Sequence, residues 1–284
     1  MVDINDYTLK DTAWCPGCGN FAIRSAFRQA LIELELLPHQ VMLVSGVGQA
    51  AKLPIYISGN SFTGLHGRSL PAAQAIKLVN PALKVFVFGG DGDGYAEGGN
   101  HLLHALRRNV DLTYIVHDNQ VFGLTKGQAS PTSLEGYVGG ITPEGTRMPP
   151  FNPLPFAIAM NTGFVARAFS GDTDHLVAMI KAAARYPGFA LLDVLQPCVS
   201  FNKVNTYKWY QERVYYLPDD YDPTNKMLAF EKAHEFSERI PLGIIYKCKR
   251  PSYTAGFDNK PERPLVFATH NPADFYFLNQ ENQV

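Results

Sequence analysis

The stretch from Val85 to Ser133 constrains this chain most, because it reads as strand, glycine-acid turn, helix, strand and polar loop in succession. Val85-Phe86-Val87-Phe88 is a short apolar run, and Gly89-Gly90-Asp91-Gly92-Asp93-Gly94 follows at once. Glycines remove the Cβ atoms that would hold a backbone away from a diphosphate, and they supply positive φ where the turn needs it. Asp91 and Asp93 would repel phosphate directly, so an acidic glycine turn makes chemical sense with a divalent metal between carboxylate and phosphate. That argues against a P-loop. A helix from about Glu97 to Arg108 returns the chain across the sheet to the strand Leu112-Thr113-Tyr114-Ile115-Val116, with Asn119 just beyond it. The two strands then run parallel, and Asp91 and Asn119 stand at the same carboxyl edge, where they can share one ion.

At 284 residues, 46% of them apolar, the chain is long enough for one sizeable core with an arm or small second lobe. A formal net charge of −1 provides no basic field for nucleic acid and no acidic tail for a basic partner. Met1-Val2-Asp3-Ile4-Asn5-Asp6 has neither a basic n-region nor an apolar h-region, and no apolar run of membrane-spanning length follows. A cytoplasmic location, away from membranes and nucleic acid, is expected. Four cysteines are too few for a disulfide framework in a chain of this length, so Cys15-Pro16-Gly17-Cys18 suggests metal or redox use.

The thiols of that motif precede a helix from about Phe21 to Leu36, whose N-terminal dipole favours thiolate. A zinc knuckle, a thioredoxin-like dithiol, half of an iron-sulfur site and plain packing of a turn all compete for it. The strand Val41-Met42-Leu43-Val44 ends in Ser45-Gly46-Val47-Gly48, with Lys52 close behind. Gly64-Leu65-His66-Gly67-Arg68 leads into a helix over Ala72–Leu78, which puts His66 and Arg68 in a loop beside the cofactor turns. Phe122 to Ser133 is a polar loop in which Lys126 is either solvated or facing a substrate carboxylate or diphosphate. Glu135–Asn152, rich in Gly and Pro, reads as a long functional loop or lid. Helix Leu154–Met160, strand Phe164–Phe169, helix Asp174–Arg185 and strand Phe189–Leu195 complete an alternating pattern. It implies an α/β fold, a doubly wound parallel sheet covered on both faces. Cys198 follows the last core strand at the ligand-bearing edge, where it can meet Cys15 and Cys18. Residues 1–200 are therefore read as the α/β domain. Residues 201–284 are read as a partner-contacting C-terminal arm, with a strand over Gly243–Lys247, a helix from about Asn225 to Ser237 and a polar tail from Lys249.

The Gly90-Asp91-Gly92…Asn119 arrangement resembles the thiamine diphosphate motif, which implies that Asp91, the Asn119 side-chain oxygen and the Val121 carbonyl hold Mg²⁺. The wider set is Trp14-Cys15-Pro16-Gly17-Cys18-Gly19, Ser45-Gly46-Val47-Gly48, His66-Gly67-Arg68, Gly90-Asp91-Gly92-Asp93, Leu124-Thr125-Lys126-Gly127-Gln128 and Cys198. Taken in order, it resembles the β subunit of 2-oxoacid:ferredoxin oxidoreductases over roughly residues 12 to 250. The resemblance implies oxidative decarboxylation of a 2-oxoacid with coenzyme A to acyl-CoA and CO₂, electrons passing to ferredoxin, or the reverse carboxylation. By the same resemblance Gly46, Gly48, His66, Gly123 and Leu124 join Gly90, Asp91, Gly92, Asp93, Asn119 and Val121 around the cofactor. Lys52, Leu124 and Lys126 line the 2-oxoacid pocket, and His66, Lys52 and Lys126 are the candidate catalytic residues. A lysine there would hold the distal carboxylate of 2-oxoglutarate, which pyruvate lacks, so 2-oxoglutarate is favoured.

Cys15, Cys18 and Cys198 match three positions that hold a 4Fe-4S cluster in that family. The family's fourth Cys directly follows the Ser-Gly-x-Gly turn, where this chain has Gln49, and Cys248 does not match it. A site with a non-thiolate fourth ligand, a three-iron form and no cluster at all stay open; the three retained cysteines favour a cluster. The glutamate that activates thiamine comes from a separate pyrimidine-binding domain, so an α subunit is expected to supply it in an αβ or (αβ)₂ assembly. Two other functions compete: a non-oxidative thiamine decarboxylase or carboligase subunit, and a non-catalytic metal or electron-transfer protein.

Overall fold

The computed structural model describes residues 2–256 together with Pro264 and Phe267. The polar tail expected from Lys249 thus lies outside the described residues beyond 256, apart from those two. The main-sheet strands are β1 (Val41–Ser45), β2 (Asn60–Thr63), β3 (Lys84–Gly90) and β4 (Leu112–Asp118). A small hairpin, β5 (Val121–Phe122) with β6 (Gln128–Ala129), stands apart, and β7 (Phe164–Phe169), β8 (Phe189–Leu195), β9 (Val214–Tyr216) and β10 (Ile240–Lys247) complete the main sheet. Its order is β2-β1-β3-β4-β8-β7-β10-β9, and every neighbouring pair is parallel except β10 with β7.

Why β3 is apolar from Val85 to Phe88 follows from the helices on both sides of it. Phe86 and Phe88 pack with α1 (Asn20–Glu33) and α5 (Thr173–Arg185), where Phe27 meets the two rings edge-on at 5.0 and 4.9 Å. Val85 and Val87 face the opposite way, towards α2 (Ser69–Val79), α3 (Gly99–Arg108) and α4 (Pro153–Ala159). Truncating either Phe to Ala would cost about 3–5 kcal/mol. Two short helices, α6 (Tyr207–Gln211) and α7 (Lys226–His234), lie in the C-terminal segment, and α7 buries Ala229 and Ala233 on the same face as α4.

The expected helices all form, with shifted ends. Leu34 caps α1 and Glu35 adopts φ 54°, ending the helix before Leu36. Between β3 and α3 the chain makes a wide helical turn over Gly92–Glu97, closed by Gly98 N donating to Asp93 O at 2.9 Å. The acidic glycine stretch is therefore mostly helical backbone. The segment 135–152 has neither helix nor strand; Phe151 N donates to Pro131 O at 2.7 Å and the Tyr137 hydroxyl to Gly127 O at 3.2 Å, which ties it to the β5–β6 hairpin. Among the described residues no helix is long and apolar enough to cross a membrane.

Candidate active site

The strand order turns at β1 and β3: one leads outward to β2, the other to β4. At such a divergence the loops at the carboxyl ends part and leave a crevice. Here it is a cavity of about 230 Å³, lined by Val47, Gly48, Gln49 and Ala50 after β1, Gly90 to Asp93 after β3, and Asn119 and Val121 to Thr125 after β4, with His66 at its side.

Asp91 is 1% exposed at the floor of this crevice. Burial pushes its carboxyl up to about 6, opposed by hydrogen bonds from Ser130, Thr132 and the backbone. The Thr132 Oγ1 lies 2.7 Å from Asp91 Oδ2 and 2.8 Å from Asp118 Oδ1. One hydroxyl carries one proton, so one of the two carboxyls must itself donate. Burial and the nearby Asp193 and Asp91 push Asp118 well above the carboxylate range, which favours the proton there. Thr132 then donates to Asp91. Deeper still, the buried Arg167 pairs with Asp193 at 3.4 Å, and Tyr95 donates to the same carboxyl at 2.8 Å.

Asp93 joins loops rather than standing free. Its Oδ1 accepts from Val47 N at 3.0 Å and Gly67 N at 2.8 Å, with His66 Nε2 at 3.6 Å. Burial raises its pKa, and those two N–H groups oppose the rise. A Cβ at Gly46 would overlap the Asp93 carboxyl, so glycine is required for this staple. Glu97 Oε1, 3.8 Å from Nδ1, holds the other edge of His66.

Next to the crevice is a smaller, mostly apolar cavity lined by Trp14, Cys15, Cys18, Cys198, Gln196 and Phe201. Gln49, Asn119 and Gly123 line both spaces, so the two share a wall. The Pro16-Gly17 turn, closed by Cys18 N to Cys15 O at 3.1 Å, sets the first two thiols at the start of α1. Trp14 Nε1 donates to Gln49 O at 2.8 Å and holds this loop to the β1 turn. Burial, with Cys198 and Cys15 nearby, pushes the Cys18 thiol up to about 11, opposed by the Asn20 N–H and Gln196. Among the described residues no three His, Cys, Asp or Glu side chains converge as a cage for a single ion. The three thiols share a cavity without meeting at one point.

Two family models match this chain: the thiamine pyrophosphate enzyme C-terminal TPP-binding domain over residues 40–194, and the C-terminal region of the pyruvate ferredoxin oxidoreductase beta subunit over residues 198–260. The 2-oxoacid:ferredoxin oxidoreductase subunit beta of Saccharolobus solfataricus is 46% identical over 278 residues, 89% of this chain and 90% of that one. The chain belongs to this family of β subunits. Subunit beta of 2-oxoacid:ferredoxin oxidoreductase 1 of Aeropyrum pernix is 45% identical over 244 residues, 82% of this chain and 77% of that one. A solved 2-oxoglutarate:ferredoxin oxidoreductase of Magnetococcus marinus, with 2-oxoglutarate, coenzyme A and succinyl-CoA bound, superposes with a TM-score of 0.91. It is 33% identical and covers 100% of this chain and 97% of that one. The chain is thus a subunit of an oxidoreductase with a thiamine diphosphate-binding domain, and the name β subunit implies an α partner.

Within this β subunit, Gly48, His66, Gly90 to Asp93, Asn119, Val121, Gly123 and Leu124 surround one crevice, and Gly46 lies just beneath it. Leu124 stands at its mouth, 42% exposed. Lys52, half-buried in the turn Ala50–Tyr56, and Lys126, exposed with φ 77° at the tip of the β5–β6 hairpin, are outside the lining. Sequence reasoning did not single out Thr132, Asp118 or Gln196. Nothing in their local pattern marks them, since each acquires its role from an element far along the chain.

Proposed function

We propose that this β subunit holds thiamine diphosphate and Mg²⁺ in the crevice and an iron-sulfur cluster in the thiol cavity. With an α subunit it oxidatively decarboxylates a 2-oxoacid to acyl-CoA and CO₂, or runs the reverse carboxylation, in the cytoplasm. The wall common to the two cavities, made by Gln49, Asn119 and Gly123, carries this reading, since it sets a carboxylate cradle against three thiols.

The donor set suits Mg²⁺: one buried carboxyl at Asp91, the Asn119 amide oxygen and the Val121 carbonyl leave room for phosphate oxygens and water, as this small hard cation prefers. Bound Mg²⁺ would keep Asp91 ionised against the rise that burial causes. Cys15, Cys18 and Cys198 would hold the cluster. Gln49, whose buried Oε1 lacks a hydrogen-bond partner, faces the same cavity as an oxygen ligand in place of the missing thiolate. Thiolates spread around a cavity suit a polynuclear cluster better than a single ion.

When bound, thiamine diphosphate supplies the nucleophile and the electron sink for decarboxylation. The chain's own residues position it: backbone at Gly46, Gly48 and Gly90 to Asp93 approaches the diphosphate, while His66, held by Asp93 and Glu97, faces the thiamine. Leu124 at the mouth, with Lys52 and Lys126 from the two flanking turns, forms the substrate side. An ammonium brought in from either turn would bind the distal carboxylate of 2-oxoglutarate. The α subunit supplies the glutamate for the aminopyrimidine, and residues 201–284 serve as its docking arm, where Tyr216 and Met227 are exposed. Ferredoxin accepts the electrons.

Anaerobic co-expression with the α subunit tests this proposal. Iron and acid-labile sulfide should accompany full thiamine occupancy, and initial rates with coenzyme A and a one-electron acceptor should favour 2-oxoglutarate over pyruvate. CoA-independent turnover without iron would point instead to a non-oxidative carboligase.

A further inference from the structure

Gln196 stands where the cofactor crevice and the thiol cavity touch. It follows β8, its side chain is 1% exposed, and its N–H donates to Asp118 O at 2.8 Å. Its amide makes three bonds: Nε2 donates to Cys18 Sγ at 3.4 Å and to Pro197 O at 2.8 Å, and Oε1 accepts from Asn119 Nδ2 at 3.1 Å. The orientation is unique. Exchanging O and N would set two donors against each other at Asn119 and an oxygen against the Pro197 carbonyl. With Nδ2 engaged, Asn119 must present Oδ1 on its other side, where Val121 N donates to it at 3.1 Å beside the crevice that holds Asp91. Asn202 Nδ2 holds the Asn119 backbone oxygen at 3.2 Å, so the segment after β8 secures this residue twice.

The cysteine loop is shaped to admit the bridge. A Cβ at Gly19, directly after Cys18, would lie 2.7 Å from Gln196 Cγ and 3.2 Å from Nε2. A Leu or Met would fill the space of Gln196 with no partners to find, whereas a buried amide needs every bond it makes here.

We infer that Gln196 is a positioning residue that couples the two halves of the site. Through Oε1 it aims the Asn119 oxygen at the Mg²⁺ position, and through Nε2–H it stabilises negative charge on the Cys18 sulfur. That charge grows when a cluster is reduced, so the donor raises the cluster's potential. The sulfur half rests on the proposed cluster and the Asn119 half on the proposed Mg²⁺ site.

Two variants of the assembled αβ complex separate these roles. Gln196→Met keeps the shape and removes all three bonds; Gln196→Glu keeps an acceptor for Asn119 and changes the donor to sulfur. Mg²⁺ titration in the presence of thiamine diphosphate reads the first role, and a potentiometric titration followed by electron paramagnetic resonance reads the second. Gln196→Met should weaken Mg²⁺ about tenfold or more. It should also lower the cluster potential, by about 59 mV for each tenfold change in the one-electron reduction equilibrium. Gln196→Glu should lower the potential while holding Mg²⁺ close to wild type. If Gln196→Met does not assemble, Gln196→Glu decides alone: an unchanged potential, or a loss of Mg²⁺ affinity, overturns the coupling. Unchanged constants in an assembled Gln196→Met overturn it too. Wild-type complex that binds no iron defeats the proposed cluster and the sulfur half with it, while the Mg²⁺ titration still decides the Asn119 half.

Discussion

In the acid crevice the protein's own donors already reach both carboxyls: Thr132 serves Asp91, and the N–H groups of Val47 and Gly67 serve Oδ1 of Asp93, whose buried Oδ2 is left without a donor. In the thiol cavity next to it Cys15 is exposed and Cys18 and Cys198 are half-buried, and the donors to the Cys18 sulfur are the Gln196 side chain and the Asn20 N–H. The contrast reflects what each group demands. A buried carboxylate without donors loses several kcal/mol of hydration, so the crevice must be assembled on folding. A thiol is a small, weakly polar group that tolerates an apolar cavity, so its pocket needs only shape until a ligand arrives. Preorganised oxygen and adaptable sulfur therefore meet across one wall.

Removing a primary oxygen donor should break the contrast most sharply. Asp91→Ala is expected to lower Mg²⁺-dependent thiamine diphosphate affinity about 100-fold or more, with iron content retained, as read by calorimetry and iron analysis. Cys198→Ser should do the reverse, losing most of the iron while cofactor affinity changes by less than about threefold. Parallel loss of cofactor in that variant would show that the cavities are one site rather than two. Thr132→Val, which withdraws the hydroxyl between Asp91 and Asp118, should weaken Mg²⁺ about 10-fold. Equal affinity would mean that the preorganisation of Asp91 contributes nothing.

The smallest effect concerns a buried histidine that holds Asn20, a residue of the thiol-cavity wall. His117 is fully buried, its Nδ1 2.7 Å from Asn20 Oδ1, and burial lowers its pKa to about 3. The unfolded chain binds this proton near pH 6.5 and the folded one does not, so stability is lost as pH falls below about 6.5. Between pH 7.5 and pH 5 the wild type should lose about 2 kcal/mol more than His117→Gln in urea unfolding. Parallel pH profiles would show that His117 titrates normally in the fold.

The parallel α/β sheet was legible because each apolar run and helical period is local, and the placement of Asp91 and Asn119 at one edge follows from the handedness of a single strand-helix-strand unit. The CPGC turn and Cys198 were legible for the same reason, each standing at the end of a recognisable element. The helical character of Gly92–Glu97 was not, since its wide turn depends on Asp93 being held by loops after β1 and before α2.

The Val85–Ser133 stretch by itself determined that this chain would present an acid and an amide at one sheet edge, because strand direction and crossover hand are local consequences of backbone chirality. It did not determine which way the Asn119 amide points, which carboxyl keeps the proton beside Thr132, or that the thiols would lie one side chain away. Those were decided by Thr132 and Gln196, residues 14 and 78 positions from Asp118 along the chain. Hydrogen bonds act over about 3 Å, so only the folded sheet edge could bring them into range.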